Sequence, residues 1–459
     1  MKATRDAFGD QLVESGKTNL DIVGVNADLG KATKLSKFGE AYPDRFYEVG
    51  IAENNMIGVA SGLSEYGYKV FLASFASFLT GKYDTIRCSI AYSNAPCVIV
   101  GTHGGLAIGK DGVTQMGLED LSLMRSLPGM TVLNPSTYNQ TKAIVKWLCD
   151  NNLNNPYYLR LGRQPVKEFY AYNTNFELGK GIVHKESTGP QQNHNVIFST
   201  GCVLPDVLEA TKDINITVID MPTIKPLDRE IIKKYAQNNI FTVEDHSIIG
   251  GLGSSVAEVM AEEGIHGKLH RIGVNDVFPE SGPPSDLYEK YGLSASKINI
   301  KGFAITMPYK KEVLNYVDSA EDYVKEIGAA NTVINTDKGL HAYNTDYLAA
   351  LEYLSYYNNK SYKDWNNFFI LGNGGYAAAV KAAANALNME FTPITRSNWT
   401  KLNTIKSSLI YNCTPVENIQ LDSSNIFINC IATTDTGHKL ATMQASHQYA
   451  LYTGLKFPY

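Results

Sequence analysis

Short runs of β-branched and apolar residues recur along the chain, in DIVGVNAD, CVIVGTHG, HNVIFSTG, ITVIDMP and IFTVEDH. Between them lie stretches with apolar residues at helical spacing, such as NNMIGVASGLSEYG and GLGSSVAEVMAEEG. Near-continuous apolar strands alternating with amphipathic helices predict parallel sheets covered on both faces, the α/β class. The opening MKATRDAFGDQLVESG reads as an amphipathic helix without the apolar centre of a signal peptide. The aperiodic, turn-rich STGPQQNHN, around Glu186 to Asn195, is expected to be a linker between two units. A second shift falls near Lys297, where Asn and Tyr become frequent and INIKGFAITMPYKK starts a new α/β pattern. Three domains are therefore expected, at 1–180, 181–297 and 298–459.

Length and charge narrow the function. A chain of 459 residues exceeds what one core supports. With Lys+Arg 41 against Asp+Glu 46, the net charge of −5 leaves no electrostatic reason to hold a nucleic acid, although local arginines could bind small anions. No apolar run approaches the roughly 18 residues of a membrane helix, so a soluble cytoplasmic protein is expected. Cys88, Cys97, Cys149, Cys202, Cys413 and Cys430 form no CxxC pair and read as buried free thiols rather than disulfides or zinc ligands.

NADLG, FYEVGIAENNM, FLASFASF, THGGLAIGKDGVTQMGLED, RSLPGMTVLNPS, YYLRLGRQ, VEDHSIIGGLGSSVAE and FPESGPP follow one another through residues 1–297. In that order and at that spacing they resemble the pyrimidine-binding and C-terminal domains of transketolase, in the form found as a separate small subunit. The resemblance implies thiamine diphosphate with Mg²⁺ as cofactor and sugar phosphates as substrates. A carboxyl must share a proton with ring nitrogen N1′ of that cofactor, and Glu53 in EVGIAENNM matches the family glutamate with this task. On its own, Glu53 is a first-turn carboxylate favoured by the helix dipole; opening an apolar helix toward a dry pocket would raise its pKa. Phe75, Phe78 and Tyr83 match aromatics that stack on the pyrimidine, and otherwise read as a core stripe. Asp28 matches an aspartate near the cofactor.

His103 and Asp111 stand in a Gly-rich loop after an apolar strand, and the resemblance places them on the sugar hydroxyls and phosphate. Arg163 and Arg5 match arginines that clamp the phosphate, for which a guanidinium fork is suited; a lone Arg5 opening a helix is otherwise a solvated residue. Two positions depart from the family. Thr114, Gln115 and Met116 replace its Thr/Ser-His-Gln, so Gln115 can hydrogen-bond the substrate but cannot move a proton near neutral pH. Ala32 stands where a serine lies near the phosphate. The diphosphate-binding half is missing, since no GDG is followed by an Asn-containing metal loop. A partner chain holding diphosphate and metal is implied, along with self-association, and 181–297 is assigned to packing, with no catalytic role for VEDHSIIGGLG.

The last third carries GFAITMPYK, IGAANTV, AYNTD, FFILGNGGYAAAV, ITRS, YNCTP and MQASHQYALYTG. In this order they resemble shikimate dehydrogenase. Lys310 matches the catalytic lysine and Asp346 its acidic partner, a pair that relays a hydroxyl proton; by composition Lys310 and Lys311 are a solvated pair. Asn331 and Gln444 match residues on the substrate's ring hydroxyls. Gly372, Gly374, Gly375 and Ala377 make a GxGxxA turn between an apolar strand and an Ala-rich helix, fitted to a pyrophosphate. Arg396 in TRS implies NADP(H) through its 2′-phosphate. The family's opening strand with its Ser-x-Ser is missing; Ser294 and Ser296 mimic that motif but read as the closing strand region of the preceding domain. A partial Rossmann-type domain is expected, in which ancestry outlasts activity.

The favoured reading is a split-transketolase small subunit fused to a degraded dehydrogenase-like domain. Alternatives are a 1-deoxyxylulose-5-phosphate synthase-like or 2-oxo-acid dehydrogenase β-type subunit, an active bifunctional enzyme, and a non-catalytic scaffold.

Overall fold

The computed structural model describes all residues except 189–194, 237–238, 299–301, 306–308, 337–338, 359–364, 454–455 and 458–459. The chain divides into two compact units, Met1–Asn299 and Ile300–Tyr459. Among its described residues the first has two large sheets and a two-stranded one. A seven-stranded sheet runs in the order Thr223–Lys225, Thr131–Leu133, Tyr157–Arg160, Val98–Thr102, Lys69–Phe75, Ile22–Asn26, Phe46–Glu48. All its pairings are parallel except that of Thr223–Lys225 with Thr131–Leu133. Along its strands the side chains alternate between two packed faces, because successive Cβ atoms point to opposite sides. Val23, Val25, Leu72 and Ile99 meet the helix Glu53–Glu65 through Met56 and Ile57. Ile22, Phe71, Val98 and Val100 meet Phe8 and Leu12 of the opening helix, Thr4–Gly16.

The second sheet runs Lys268–Val274, Asn239–Ser247, Val196–Thr200, Thr217–Asp220, Ile182–Lys185, parallel except at its last pairing. Its Val196, Phe198 and Ile219 share a core with the first sheet. The expected linker does not separate two units. Residues 189–194 lie outside the described residues, but the strands on either side, Ile182–Lys185 and Val196–Thr200, belong to one sheet, so the stretch connects strands within a unit. Turn-forming composition marks any surface connection and does not tell a loop from a domain linker.

In the second unit, a parallel sheet in the order Thr392–Ile394, Asn367–Leu371, Ser408–Asn412, Ile426–Asn429 is covered on one face by the helices Thr345–Asn358 and Gly375–Ala386. A smaller sheet orders Gly302–Ala304, Thr332–Thr336, Gly339–Tyr343 and Ser319–Ala320. The expected closing strand at Ser294 and Ser296 is instead a turn, and both hydroxyls donate to the Glu289 carboxylate. Cys88 is exposed rather than buried, and all six cysteines are free. Among the described residues no helix is long and apolar enough to cross a membrane.

Candidate active site

The C-terminal ends of the central strands in the seven-stranded sheet carry the first group of predicted residues, where parallel α/β sheets present ligand groups. His103 follows the strand Val98–Thr102 directly, in a left-handed conformation (φ +59°), and is buried. The N-terminus comes to it because Lys2–Ala3 pairs antiparallel with Pro165–Val166, and Thr4 Oγ1 accepts the Gly162 N–H at 2.8 Å. This brings Arg5 and Arg163 to the same loop. Arg5 Nη1 donates to His103 Nε2 at 3.1 Å and to the Ala32 carbonyl at 2.8 Å. Arg163 Nη1 donates to the Ile108 carbonyl and to Asp111 Oδ2, both at 2.8 Å.

The tautomer of His103 follows from its partners. A guanidinium only donates, so Nε2 is the acceptor and Nδ1 carries the proton, which it gives to Thr102 Oγ1 at 2.9 Å. Burial first, then Arg5 and Arg163, lower its pKa to about 3. The ring is neutral and holds the Arg5 guanidinium rather than exchanging protons near pH 7. Phe75 lies against it, ring centroids 3.8 Å apart, and stacks on Phe78 at 5.2 Å. Tyr83 is not part of this stack; its hydroxyl meets Ser126 Oγ at 2.9 Å.

Glu53 begins the helix Glu53–Glu65 and is half-buried, flanked by the exposed Ile51, Asn54 and Asn55. No enclosure surrounds it comparable to that around His103. Asp28, exposed and left-handed (φ +59°), ends the loop after Ile22–Asn26. Gln115 is half-buried at the far end of the His103 loop.

Several residues that hold this arrangement were not singled out from the sequence. The Glu48 carboxylate accepts from Asn26 Nδ2, from Asp28 N at 2.8 Å and from Gly50 N at 3.0 Å, tying the Asp28 turn to the segment before Glu53. Arg160, buried, donates to Asp120 at 2.9 Å, to the Gly117 carbonyl at 2.7 Å and to the Asp245 carbonyl at 2.8 Å. Glu244 accepts the Leu252 and Gly253 amides that open the helix Leu252–Glu262. The VEDH segment is thus a structural staple. The readable signal was a charge inside an apolar strand, as in YYLRLG and FTVEDH, since a buried charge requires a partner.

In the second unit, Lys310 Nζ donates to Asp346 Oδ2 at 2.6 Å, both largely buried. Asn331 Oδ1 accepts from Thr345 N at 2.7 Å, while its buried Nδ2 has no partner among the described residues. Gln448 reaches this group, donating to Thr332 Oγ1 at 3.0 Å, and Gln444 is half-buried one turn earlier on the same helix. Gly372 is left-handed (φ +106°), and Gly374 and Gly375 have open space where a Cβ would stand. Ala377 is buried in the helix that follows. Arg396 is exposed just beyond the neighbouring strand Thr392–Ile394. Among the described residues no group of three or more His, Cys, Asp or Glu gathers to hold a metal.

The family profile of the transketolase pyrimidine binding domain matches residues 1–168, and that of the transketolase C-terminal domain matches 187–298. A putative transketolase C-terminal section from Methanocaldococcus jannaschii is 39% identical over 305 residues, covering 65% of this chain and 94% of that protein. An apulose-4-phosphate transketolase subunit from Phocaeicola vulgatus is 34% identical, over 65% of this chain and 96% of its own. A solved structure described as a split gene transketolase, inactive beta4 tetramer, is 43% identical with a TM-score of 0.59, covering 65% of this chain and 96% of that one. The chain belongs to the transketolase family, and residues 1–298 carry that family's pyrimidine-binding and C-terminal domains.

Proposed function

We propose that the chain is the small subunit of a split transketolase, moving a two-carbon ketol unit between sugar phosphates, with domains at 1–180, 181–297 and 298–459. The observation that carries this reading is the gathering of Arg5, His103, Asp111 and Arg163 beside the Phe75–Phe78 stack. Thiamine diphosphate, when bound, would supply the nucleophilic carbon that two-carbon transfer requires. Phe78, half-buried, would offer a flat face to its pyrimidine with Phe75 packed behind it against His103, and Glu53 would share a proton with N1′. Arg5, whose buried Nε has no partner among the described residues, and Arg163 take the substrate phosphate. Neutral His103 orients Arg5, and Gln115 hydrogen-bonds substrate hydroxyls without moving protons.

Mg²⁺ and the diphosphate fall to a partner subunit of the N-terminal type. Two things support that division: the relatives named above are themselves sections or subunits, and the Glu53 helix has an uncovered face. Ile51 is 83% exposed, and a Cβ at Gly58 or Gly62 would meet nothing within 4 Å. Small residues on an open helix face let another chain approach closely. Purified alone with thiamine diphosphate and Mg²⁺, the chain is expected to show no ketol transfer, and to gain it when a transketolase N-terminal-section subunit is added. Full activity from the single chain overturns this reading.

Residues 298–459 we read as a dehydrogenase-like domain of shikimate dehydrogenase ancestry, with a partial Rossmann-type sheet and an NADP(H) site. Supporting it are the left-handed Gly372 between strand and helix, the open Gly374 and Gly375, and Arg396 at the end of the adjacent strand. The chain order of the parallel strands reverses direction between Asn367–Leu371 and Ser408–Asn412, a switch point at which such sheets bind nucleotides. The Lys310–Asp346 pair supplies a proton relay.

A further inference from the structure

Between Gly104 and Gly117, which pair with each other, the loop that follows His103 and carries Asp111 makes three left-handed turns, at Gly105 (φ +85°), Gly109 (φ +73°) and Gly112 (φ +85°). Each of the three glycines abuts the part of the unit that matches the C-terminal domain. A Cβ at Gly105 would overlap the Asp245 carboxylate, one at Gly109 would stand 2.9 Å from Pro284 Cδ, and one at Gly112 would stand 2.5 Å from Ser281 Oγ. The backbone is held from the same side: Asp245 Oδ1 accepts the Leu106 N–H at 2.9 Å, and its other oxygen accepts the Tyr288 hydroxyl. Asp245 is only 3% exposed, so its charge depends on these donors and on the Arg160 guanidinium, which donates to its carbonyl at 2.8 Å. Just beyond Leu106, the Ile108 carbonyl and Asp111 aim the Arg163 guanidinium.

We infer that Asp245, held by Tyr288, is a positioning residue that sets the geometry of the His103–Asp111 loop and, through it, of Arg163. This rests on the reading that Arg163 and its neighbours receive the sugar phosphate. Arg163 is aimed by two acceptors on the loop, so a displacement of the Leu106 backbone moves both acceptors together and swings the guanidinium fork away from the anion. Guanidinium–phosphate bonds are directional, and a misplacement of about 1 Å costs up to roughly a hundredfold in such sites. Through VEDHSIIGGLG the second sheet thus shapes the anion site of the first as well as packing against it.

The test uses the full chain reconstituted with a transketolase N-terminal-section subunit and ribose 5-phosphate as the probe. Asp245→Ala is expected to raise KM for ribose 5-phosphate about tenfold or more, with kcat changed less than about threefold. Hydrogen exchange of the 103–113 amides, read by mass spectrometry, should quicken in the same variant. Asp245→Asn keeps an oxygen for Leu106 N–H and should recover most of the KM, while Tyr288→Phe, which retains the ring, should fall between. If Asp245→Ala does not fold, Tyr288→Phe against wild type carries the comparison. Unchanged exchange in 103–113 overturns the clamp. Faster exchange with unchanged KM, where Arg163→Ala does raise KM, overturns the positioning role and leaves the phosphate reading standing. An unchanged KM in Arg163→Ala overturns the phosphate reading and the role of Asp245 with it.

Discussion

Glu53 sits in the first turn of a helix, where backbone amides favour negative charge, yet its neighbours Ile51, Asn54 and Asn55 face outward. Glu53→Gln keeps the size and hydrogen bonding of the side chain but cannot share a proton. In the reconstituted enzyme it should lower kcat by about 10²–10⁴-fold while lowering the thermal midpoint by no more than a few degrees, from the lost helix-dipole contact, read by single-turnover assay and calorimetry. His103 gives the opposite kind of expectation. Its folded pKa, about 3, lies below the ordinary 6.5, so the folded state binds fewer protons than the unfolded one. The stability it contributes is complete above pH 6.5 and is lost as the pH falls from there toward 3. A nuclear magnetic resonance titration should therefore find no His103 midpoint between about pH 5 and 8, and a midpoint near 6 contradicts the buried Arg5 contact. The sequence placed His103, Arg5, Asp111 and Arg163 in three separate strings. The family resemblance implied that they share a site, but the contacts by which they meet were not legible, because they depend on the pairing of Lys2–Ala3 with Pro165–Val166, some 160 residues apart in the chain.

At the scale of elements, glycines in two places do different work. In the helix Glu53–Glu65, Gly58 and Gly62 are helical and have open space around them. Replacing each with Ala should stabilise the isolated chain by about 0.5–1 kcal/mol, measured by denaturant unfolding, because alanine loses less backbone entropy on folding. If this face receives the proposed partner subunit, the same variants should weaken assembly with it in sedimentation experiments, since added methyls would push the two surfaces apart. Gly105 behaves in reverse. Its φ of +85° disfavours a side chain, and a Cβ would overlap Asp245, so Gly105→Ala should cost at least about 2 kcal/mol by the same measurement. The strands and helices themselves were readable from periodicity: DIVGVNAD holds Ile22–Asn26, IFTVEDH lies in Asn239–Ser247, and GLGSSVAEVMAEEG holds Leu252–Glu262. What periodicity could not supply was the strand Thr223–Lys225, which leaves its neighbours in the chain to extend the other sheet.

Across the whole molecule, the two units set separate tests, because residues 300–459 carry their own cores. On the dehydrogenase-like reading proposed for this unit, the turn at Gly372 and the exposed Arg396 would need only local strand, loop and helix to meet a nucleotide, whereas turnover would also need a seated substrate beside Lys310 and Asp346. Titration calorimetry on the full chain should detect weak binding of NADPH in preference to NADH, with little or no oxidation of shikimate. Arg396→Ala should remove about 1.5–3 kcal/mol of NADPH binding, roughly ten- to hundredfold, by losing a charge-assisted contact. Equal binding of the two nucleotides contradicts the role given to Arg396. Here the sequence by itself determined the α/β class, the run of elements and the residue types that bear chemistry, because local periodicity and short motifs are properties of neighbouring residues. Only the tertiary structure decided that the strands on either side of STGPQQNHN, Ile182–Lys185 and Val196–Thr200, belong to one sheet, that His103 is neutral, and that Asp245 reaches across to the His103 loop. Each of these depends on burial and on contacts between segments distant in the chain, and a buried group's charge and partners are set by whatever the fold packs against it.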